Sequence, residues 1–416
     1  MEITLKLNVP GARRYEKVSY PVRYGRLVEI TTPDHCFQFN PGGEIKYLQG
    51  TGRSWSHPSE WLKRTAGNYW VYYDSGGYNQ IMDYLGEYYL PYFTYQSNHL
   101  WEAAPFREAS IQGALSAFRD LPSELHDALK KNHWSAEERS FLSKAIFMDD
   151  RMLAKRAAQL AALLNGSVTV LPPDSRHVDY DCIPLNISDG CLYHCSFCRV
   201  KSNQDFHVRS SQVILEQLTK LKDLYGPNLH NYNSLFLGRH DALNCDGDLI
   251  IWAALQAYER LEFERSYLEG RFLFLFGSVD SFLKSKDGLF QSLNQLPYQT
   301  YLNLGLESAD QQTLELLGKP LTAEKVEEAF IRLSEINQKY DRLEISANFV
   351  IDTKLPPGHW EALSRLTQKP LPHYFDKGVI YLSPLSRDGR KELLQRFKTL
   401  KTRSLRPLYL YLLQRL

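Results

Sequence analysis

Apolar positions along the 416-residue chain fall into three textures. From Met1 to about Leu48 they come in short alternating runs such as GRLVEITT and HCFQFNPGGEIKYL, with Pro41-Gly42-Gly43 as a turn, and this predicts a small antiparallel sheet. From about Ser110 to Leu164 the spacing becomes helical, as in AEERSFLSKAIFMDDRMLAKRAAQLAALLNG, where Gly166 is the stop. Pro172-Pro173 then reads as a linker. Beyond it, six β-rich apolar runs begin at Ile183, Ser234, Arg271, Tyr301, Glu344 and Gly378, separated by helical stretches such as SQVILEQLTKLKDL and TAEKVEEAFIRLSEINQKY. Each unit has the length of about 30 to 50 residues that a strand, a crossover helix and the next parallel strand require. The pattern predicts an α/β parallel sheet, either open and doubly wound or closed as a barrel, with its chemistry at the carboxyl ends of the strands.

Composition narrows the function classes. Hydrophobic residues make up 43% of the chain and charged ones 23%, with a net charge of +1. That is an ordinary globular composition with a large core, and so small a charge gives no overall field to draw in nucleic acid or an anionic membrane. The start, MEITLKLNVPGARRYEKV, lacks the apolar run and cleavage site of a secretory signal, and no apolar stretch reaches the about 18 residues of a transmembrane segment. A cytoplasmic protein is expected. Its cysteines then stay reduced, and a tight group of them points to a metal or cluster rather than to disulfides.

Such a group follows the first of the six runs. GCLYHCSFCR, residues 190–199, holds Cys191, Cys195 and Cys198, three of the six cysteines in the chain. Structural zinc sites pair knuckles from two places, and here Cys36, Cys182 and Cys245 stand alone, leaving His194 or His207 to complete such a site. A four-iron four-sulfur cluster normally takes four thiolates; with three, one iron keeps an open position where a substrate or cofactor binds.

The spacing Cys191-x3-Cys195-x2-Cys198, with the aromatic Phe197 before the last cysteine and a strand-helix repeat around it, resembles the radical S-adenosylmethionine (radical SAM) superfamily. The resemblance covers about residues 178–386 and implies a partial parallel (β/α)6 TIM-like barrel. An α+β domain over 1–170 precedes it and a basic extension over 387–416 follows. It further implies one 4Fe-4S cluster on the three cysteines, with S-adenosyl-L-methionine chelating the open iron. Reductive cleavage would give a 5'-deoxyadenosyl radical that abstracts hydrogen from an unidentified small-molecule substrate, with an electron donor such as flavodoxin or ferredoxin.

Further residues carry the resemblance less tightly. Where the family's second strand ends in a Gly-Gly-Glu-like stretch, this chain reads Leu237-Gly238-Arg239-His240-Asp241-Ala242, so Gly238 is kept and Asp241 stands in for the carboxylate. The segment LNLGLESADQQTLELLGKPLTAEKVEEAF is similar to one in a large subgroup of radical enzymes, which puts Glu307 and Ser308 at the cofactor's ribose or methionine and Lys319 at its carboxylate. Ser278 and Asp280 after the third run, and Asn348 in the fifth, are candidates to line the same pocket. Against each stands a plainer role as helix cap, solvated charge or core pair.

Other features bound the reading. There is no upstream or C-terminal cysteine group for a second cluster and no Asp-x-His-x-x-Gly cobalamin signature. The stretch from Arg387 to Leu416 holds nine Lys or Arg, which suits a solvated helix or a patch for an anionic partner; its apolar end LYLYLLQRL can dock back on the barrel. Residues 69 to 95 hold nine tyrosines in a run that fits neither a clean helix nor a clean strand. Because a carbon radical must be shielded from water, the first domain is expected to pack over the barrel mouth and to offer Tyr72, Tyr73 and Tyr78 to substrate. The alternative to an enzyme is a non-catalytic iron-sulfur electron carrier or sensor.

Overall fold

The computed structural model describes residues 2–15, 23–53, 55, 57–75, 78–96, 100–130, 134–166, 169–193, 195–198, 205–369 and 377–416, the side chains of 78–80 excepted. The first texture becomes a meander of seven strands, β1 (Thr4–Pro10), β2 (Arg26–Thr31), β3 (His35–Phe39), β4 (Ile45–Gly50), β5 (Trp61–Arg64), β6 (Trp70–Asp74) and β7 (Leu90–Phe93), paired antiparallel in chain order. The tyrosine-rich run thus divides into β6, a short helix α1 (Tyr78–Leu85) and β7. Side chains alternate between two cores, as the period of two in a strand requires. Leu48, Leu62 and Tyr72 face one core, and Tyr47, Trp61 and Tyr73 face the other.

The first of these cores is closed by helices α2 (Ala109–Leu129), α3 (Ala136–Phe147) and α4 (Asp150–Leu163), through residues such as Phe118, Leu125, Phe141 and Leu153. The continuous helical pattern of 136–164 is broken in two because Asp149 caps a new start, accepting from the Met152 amide at 2.8 Å. Ser135 and Glu138 form a capping box on α3, satisfying two amides that the helix itself leaves without partners.

After the linker come β8 (Cys182–Leu185), the two-residue strands β9 (Ser188–Asp189) and β10 (His207–Val208), and then β11 (Ser234–Leu237), β12 (Phe272–Gly277), β13 (Gln299–Glu307), β14 (Leu343–Ile351), β15 (Ile380–Pro384) and β16 (Leu408–Leu410). β8 and β11 to β16 form one parallel sheet in chain order. Between successive strands lie α5 (Ser211–Tyr225), α6 (Gly247–Arg260), α7 (Val279–Lys284) with α8 (Asp287–Gln295), α9 (Gln311–Leu316) with α10 (Ala323–Lys339), α11 (Pro357–Thr367) and α12 (Arg390–Arg403). A sheet whose strands follow one another in sequence is singly wound, so the barrel alternative is the one adopted. It is partial, because β8 and β16 remain its two edges.

The boundary expected at 386 falls inside the barrel. α12 is the sixth crossover helix and β16 a seventh parallel strand, only three residues long and therefore hidden in the apolar tail. Beyond β16 the chain crosses to the linker. Leu171 N donates to Gln414 O at 3.0 Å and Leu416 N to Thr169 O at 3.0 Å, with an antiparallel bridge between Val170 and Arg415. The linker and the tail thus cover the open side. No helix of the described residues is long and apolar enough to cross a membrane.

The first sheet docks on the amino ends of the barrel strands. Lys63 Nζ, 1% exposed, lies 3.2 Å from Asp179 and 3.3 Å from Asp181, and Lys46 Nζ lies 3.1 Å from Asp181. Both aspartates directly precede β8. Asn228 and Asn231, ahead of β11, bind the Gly42 and Arg26 amides at 2.7 and 2.8 Å. The expected cover over the barrel mouth is therefore not what forms, because these charged and amide partners tie the domain to the opposite end. Tyr73 donates to Asp179 there, and Tyr72 donates to Glu60. Tyr73→Phe is expected to lower stability by about 1–2 kcal/mol through the lost hydrogen bond. Thermal unfolding reads that loss.

One buried acid makes stability depend on pH. Glu344, on β14, accepts from the Gly378 and Val379 amides at 3.0 and 3.4 Å, yet burial, aided by Asp174, pushes its pKa up to about 7. A carboxyl that holds its proton more tightly folded than unfolded costs stability as pH rises. The loss therefore builds from the ordinary range near 4.5 and is complete above about 7. Glu344→Gln keeps the acceptor oxygen and is expected to raise the melting temperature at pH ~8, with no gain below pH ~4. An equal gain at both would contradict this.

Candidate functional site

A cleft of ≈ 470 Å³ opens at the carboxyl ends of the barrel strands. All three cysteines of the loop after β8 line it, joined by Phe197, Asp241, Ser278, Glu307, Lys319 and Asn348. These residues come from the connections after β8, β11 and β12, the end of β13, the turn between α9 and α10, and β14 itself. His194 lies outside the described residues, and His207 is exposed on β10. Among the described residues no three His, Cys, Asp or Glu side chains could hold a single metal ion.

The cysteine loop is pinned from one side. Ser196 donates to Leu317 O through its amide at 3.2 Å and its hydroxyl at 2.7 Å, fastening the loop to the turn that ends α9. Phe197 packs with Leu317, Val350 and Leu355. Burial pushes the Cys191 and Cys195 thiols up, and the Lys319 charge opposes this at both.

Lys319 is itself held by the end of β13, donating to Gly305 O at 2.6 Å and pairing with Glu307 at 2.9 Å. Its side chain is only 4% exposed and that of Glu307 12%. Glu307 sits at φ +64° just after a bulge in the β13–β14 pairing. A non-glycine residue in the left-handed region costs about 1 kcal/mol or more, and such strain gathers at functional sites. Gly305 leaves room for this pair, since a Cβ there would stand 2.6 Å from Glu307 Oε1 and displace the carboxylate.

Asp241 is 2% exposed and accepts from Ser278 N at 3.0 Å and Ser281 Oγ at 2.8 Å, while burial raises its pKa. Ser278 also caps α7, so its plainer role and its place in the cleft coexist. Asp280 faces Tyr193 and pairs with Lys325 at 2.8 Å; it does not line the cleft. Two other candidates also stand outside the lining. Gly238, at φ +83°, makes the turn after β11 and donates to Leu185 O at 2.7 Å, and Ser308, fully buried, bonds His359 Nδ1 at 2.8 Å. Nor do Tyr72 and Tyr73 reach the cleft; of the described residues, none before Thr169 lines it. The side chain of Tyr78 lies outside the described set.

Several lining residues escaped the sequence reading. Arg239 and His240 occupy the place where a second glycine and an acid were sought, and that departure was the available signal. His240 Nε2 is buried without a partner, and burial lowers its pKa to about 4, so the ring is neutral at neutral pH. Asn303 carries no sequence signal. Thr169, Val170, Tyr411 and Leu413 come from the linker and the tail and form one wall.

No family model and no curated protein matches the chain. Among solved structures, a radical SAM methyltransferase from Sphaerobacter thermophilus is similar with a TM-score of 0.37 at 13% identity, over 55% of this chain and 65% of that one. Streptococcus suis SuiB bound to precursor peptide SuiA is similar with a TM-score of 0.36 at 15% identity, over 72% and 62%. The cobalamin-dependent S-adenosylmethionine radical enzyme OxsB gives 0.33 at 15%, over 56% and 32%. This chain spans less than two thirds of the length of each. Two of the three are named as radical S-adenosylmethionine enzymes, the superfamily that the cysteine loop of this chain resembles.

Proposed function

We propose that the chain is a radical S-adenosylmethionine enzyme. The observation that carries this is the convergence of Cys191, Cys195 and Cys198, from one loop after the first barrel strand, on the same cleft as Glu307, Lys319, Asp241 and Asn348. The residues fit the implied group. The three cysteines line one cleft, and that cleft holds two buried polar atoms without partners, His240 Nε2 and Asn348 Oδ1. Such atoms are costly unless a ligand completes them.

When bound, a 4Fe-4S cluster with S-adenosylmethionine supplies a 5'-deoxyadenosyl radical that abstracts hydrogen from substrate. The chain's own part is binding and shielding. The three cysteines would hold the cluster on a loop fixed by Ser196. Lys319, held in place by Gly305 O and Glu307, and the oriented Asp241 carboxylate would face the amino acid portion of the cofactor. Phe276, Val350, Leu385 and Leu413 make apolar wall, keeping water from a reactive carbon. A small-molecule substrate and a protein electron donor such as flavodoxin or ferredoxin are the partners this reading needs. An electron carrier has no use for so large a lined cleft. In the basic tail Arg390 and Arg396 pair with Glu102 and Glu392, and Arg406 donates to Ser334, so these three charges are engaged within the chain.

Anaerobically purified protein should bind about four irons per chain and, with dithionite and S-adenosylmethionine, release 5'-deoxyadenosine slowly without substrate. Zinc in place of iron, about eight irons, or no binding of the cofactor would defeat the reading.

A further inference from the structure

A line of hydrogen bonds runs through the barrel interior and ends in the cleft. Arg176 Nε donates to the Tyr381 hydroxyl at 2.9 Å, and Tyr381 donates to Asp174 Oδ1 at 2.9 Å. Ser346 Oγ donates to Asp174 Oδ2 at 2.6 Å, Asn303 Nδ2 to Ser346 Oγ at 2.7 Å, and Asn348 Nδ2 to Asn303 Oδ1 at 2.6 Å. Asp174, Ser346 and Asn303 are each no more than 1% exposed. Asn303 and Asn348 line the cleft, and the buried Asn348 Oδ1 is left without a partner.

With Asp174 ionised, which burial opposes and the Ser346 and Tyr381 hydrogen bonds and the Arg176 charge favour, the direction of this line is fixed. An ionised carboxylate only accepts and an arginine only donates, whereas a hydroxyl and an amide can do both. Arg176 fills the acceptor side of Tyr381, so the tyrosine proton goes to Asp174. The other carboxylate oxygen then takes the Ser346 proton, Ser346 must accept from Asn303, and Asn303 must accept from Asn348. Asn348 turns its nitrogen inward, giving one N–H to Asn303, and its Oδ1 is the amide atom left without a partner beside the cleft.

We propose that Asp174, acting through Ser346 and Asn303, sets Asn348 as a hydrogen-bond acceptor in the cleft, so that the site selects a ligand presenting a hydroxyl or amino group there. Asp174, Ser346 and Asn303 are positioning residues and Asn348 is the contact. The proposal rests on the functional reading above only in taking S-adenosylmethionine, which carries hydroxyl and amino donors, as its probe.

Isosteric exchanges make opposite predictions. In Asp174→Asn the new amide must turn its oxygen to Tyr381 and its nitrogen to Ser346, which then donates onward. Both asparagines turn over, and Asn348 shows the cleft its nitrogen. Adding Asn303→Asp places a carboxylate that accepts from both Ser346 and Asn348, which turns the Asn348 oxygen back to the cleft. Calorimetric titration of S-adenosylmethionine into the cluster-loaded protein should show D174N binding about tenfold or more weakly and D174N/N303D regaining most of the loss. Wild-type affinity in D174N, or a double variant no better than D174N, would overturn the proposal.

A ligand-free measurement separates this from failure of the functional reading. Side-chain amide hydrogen exchange at Asn348, in protein labelled with ¹⁵N-asparagine, should be slow in the wild type and the double variant and fast in D174N. If the wild type binds no S-adenosylmethionine, the functional reading fails, and equal exchange in all three proteins would still refute the polarity. Should D174N not fold, Ser346→Ala cuts the line without changing charge and should speed the same exchange; an unchanged rate counts against the proposal.

Discussion

Cys195→Ala protein, purified without oxygen, is expected to be colourless, to hold less than about one tenth of the wild-type iron and to release no 5'-deoxyadenosine. With only three thiolates for a cluster, removal of one leaves two irons short of protein ligands, counting the one already open to the cofactor. Cys195 is the most buried of the three, on the loop that Ser196 fastens to Leu317. Cys36→Ala is the matched control. It lies on β3 of the first sheet, outside the cleft, and should leave iron content and cofactor binding intact. Cys245 lines a different cavity from the loop cysteines, and Cys245→Ser should likewise keep the cluster. Iron retained in Cys195→Ala, or lost in Cys36→Ala, would remove the loop from the centre of the function.

What the sequence disclosed follows from the range of the interactions involved. Strands of a parallel sheet are covered on both faces and read as nearly unbroken apolar runs, so β8 and β11 to β15 were visible. β16 was not, because three residues cannot establish a period. The cysteine loop was legible as a local spacing with a chemical requirement. The site of the first domain was not, since it depends on Lys46 and Lys63 meeting Asp179 and Asp181 more than a hundred positions away. Asn303 and Ser346 sit in strands that read simply as core, Asn348 was legible only as a candidate to line the pocket, and their partner Asp174 lies in the linker. Direction in a hydrogen-bond line appears only when every member is placed. The left-handed φ of Glu307 is likewise a property of the bulge before it.

Glu307 is where fold and chemistry are most tightly joined, and its removal should be felt in both. Glu307→Ala deletes the carboxylate that pairs with Lys319 at 2.9 Å and leaves a buried ammonium bonded only to Gly305 O. Breaking one side of a buried pair costs about 3–5 kcal/mol, because the remaining charge keeps its desolvation penalty. Chemical denaturation should therefore place Glu307→Ala well below wild type. The double variant Glu307→Ala/Lys319→Met removes the orphaned charge with little change of volume and should recover most of that loss. Glu307→Gly should be less destabilised than Glu307→Ala, since glycine accepts the positive φ without strain. Affinity for S-adenosylmethionine separates support from contact. If Glu307 only steadies Lys319, the double variant loses no more affinity than Lys319→Met alone. If it also touches the cofactor, affinity stays about tenfold or more below that of Lys319→Met even where stability has returned. The second outcome is expected, because a strained residue at the mouth of a cleft persists against its own backbone cost when something beyond packing depends on it.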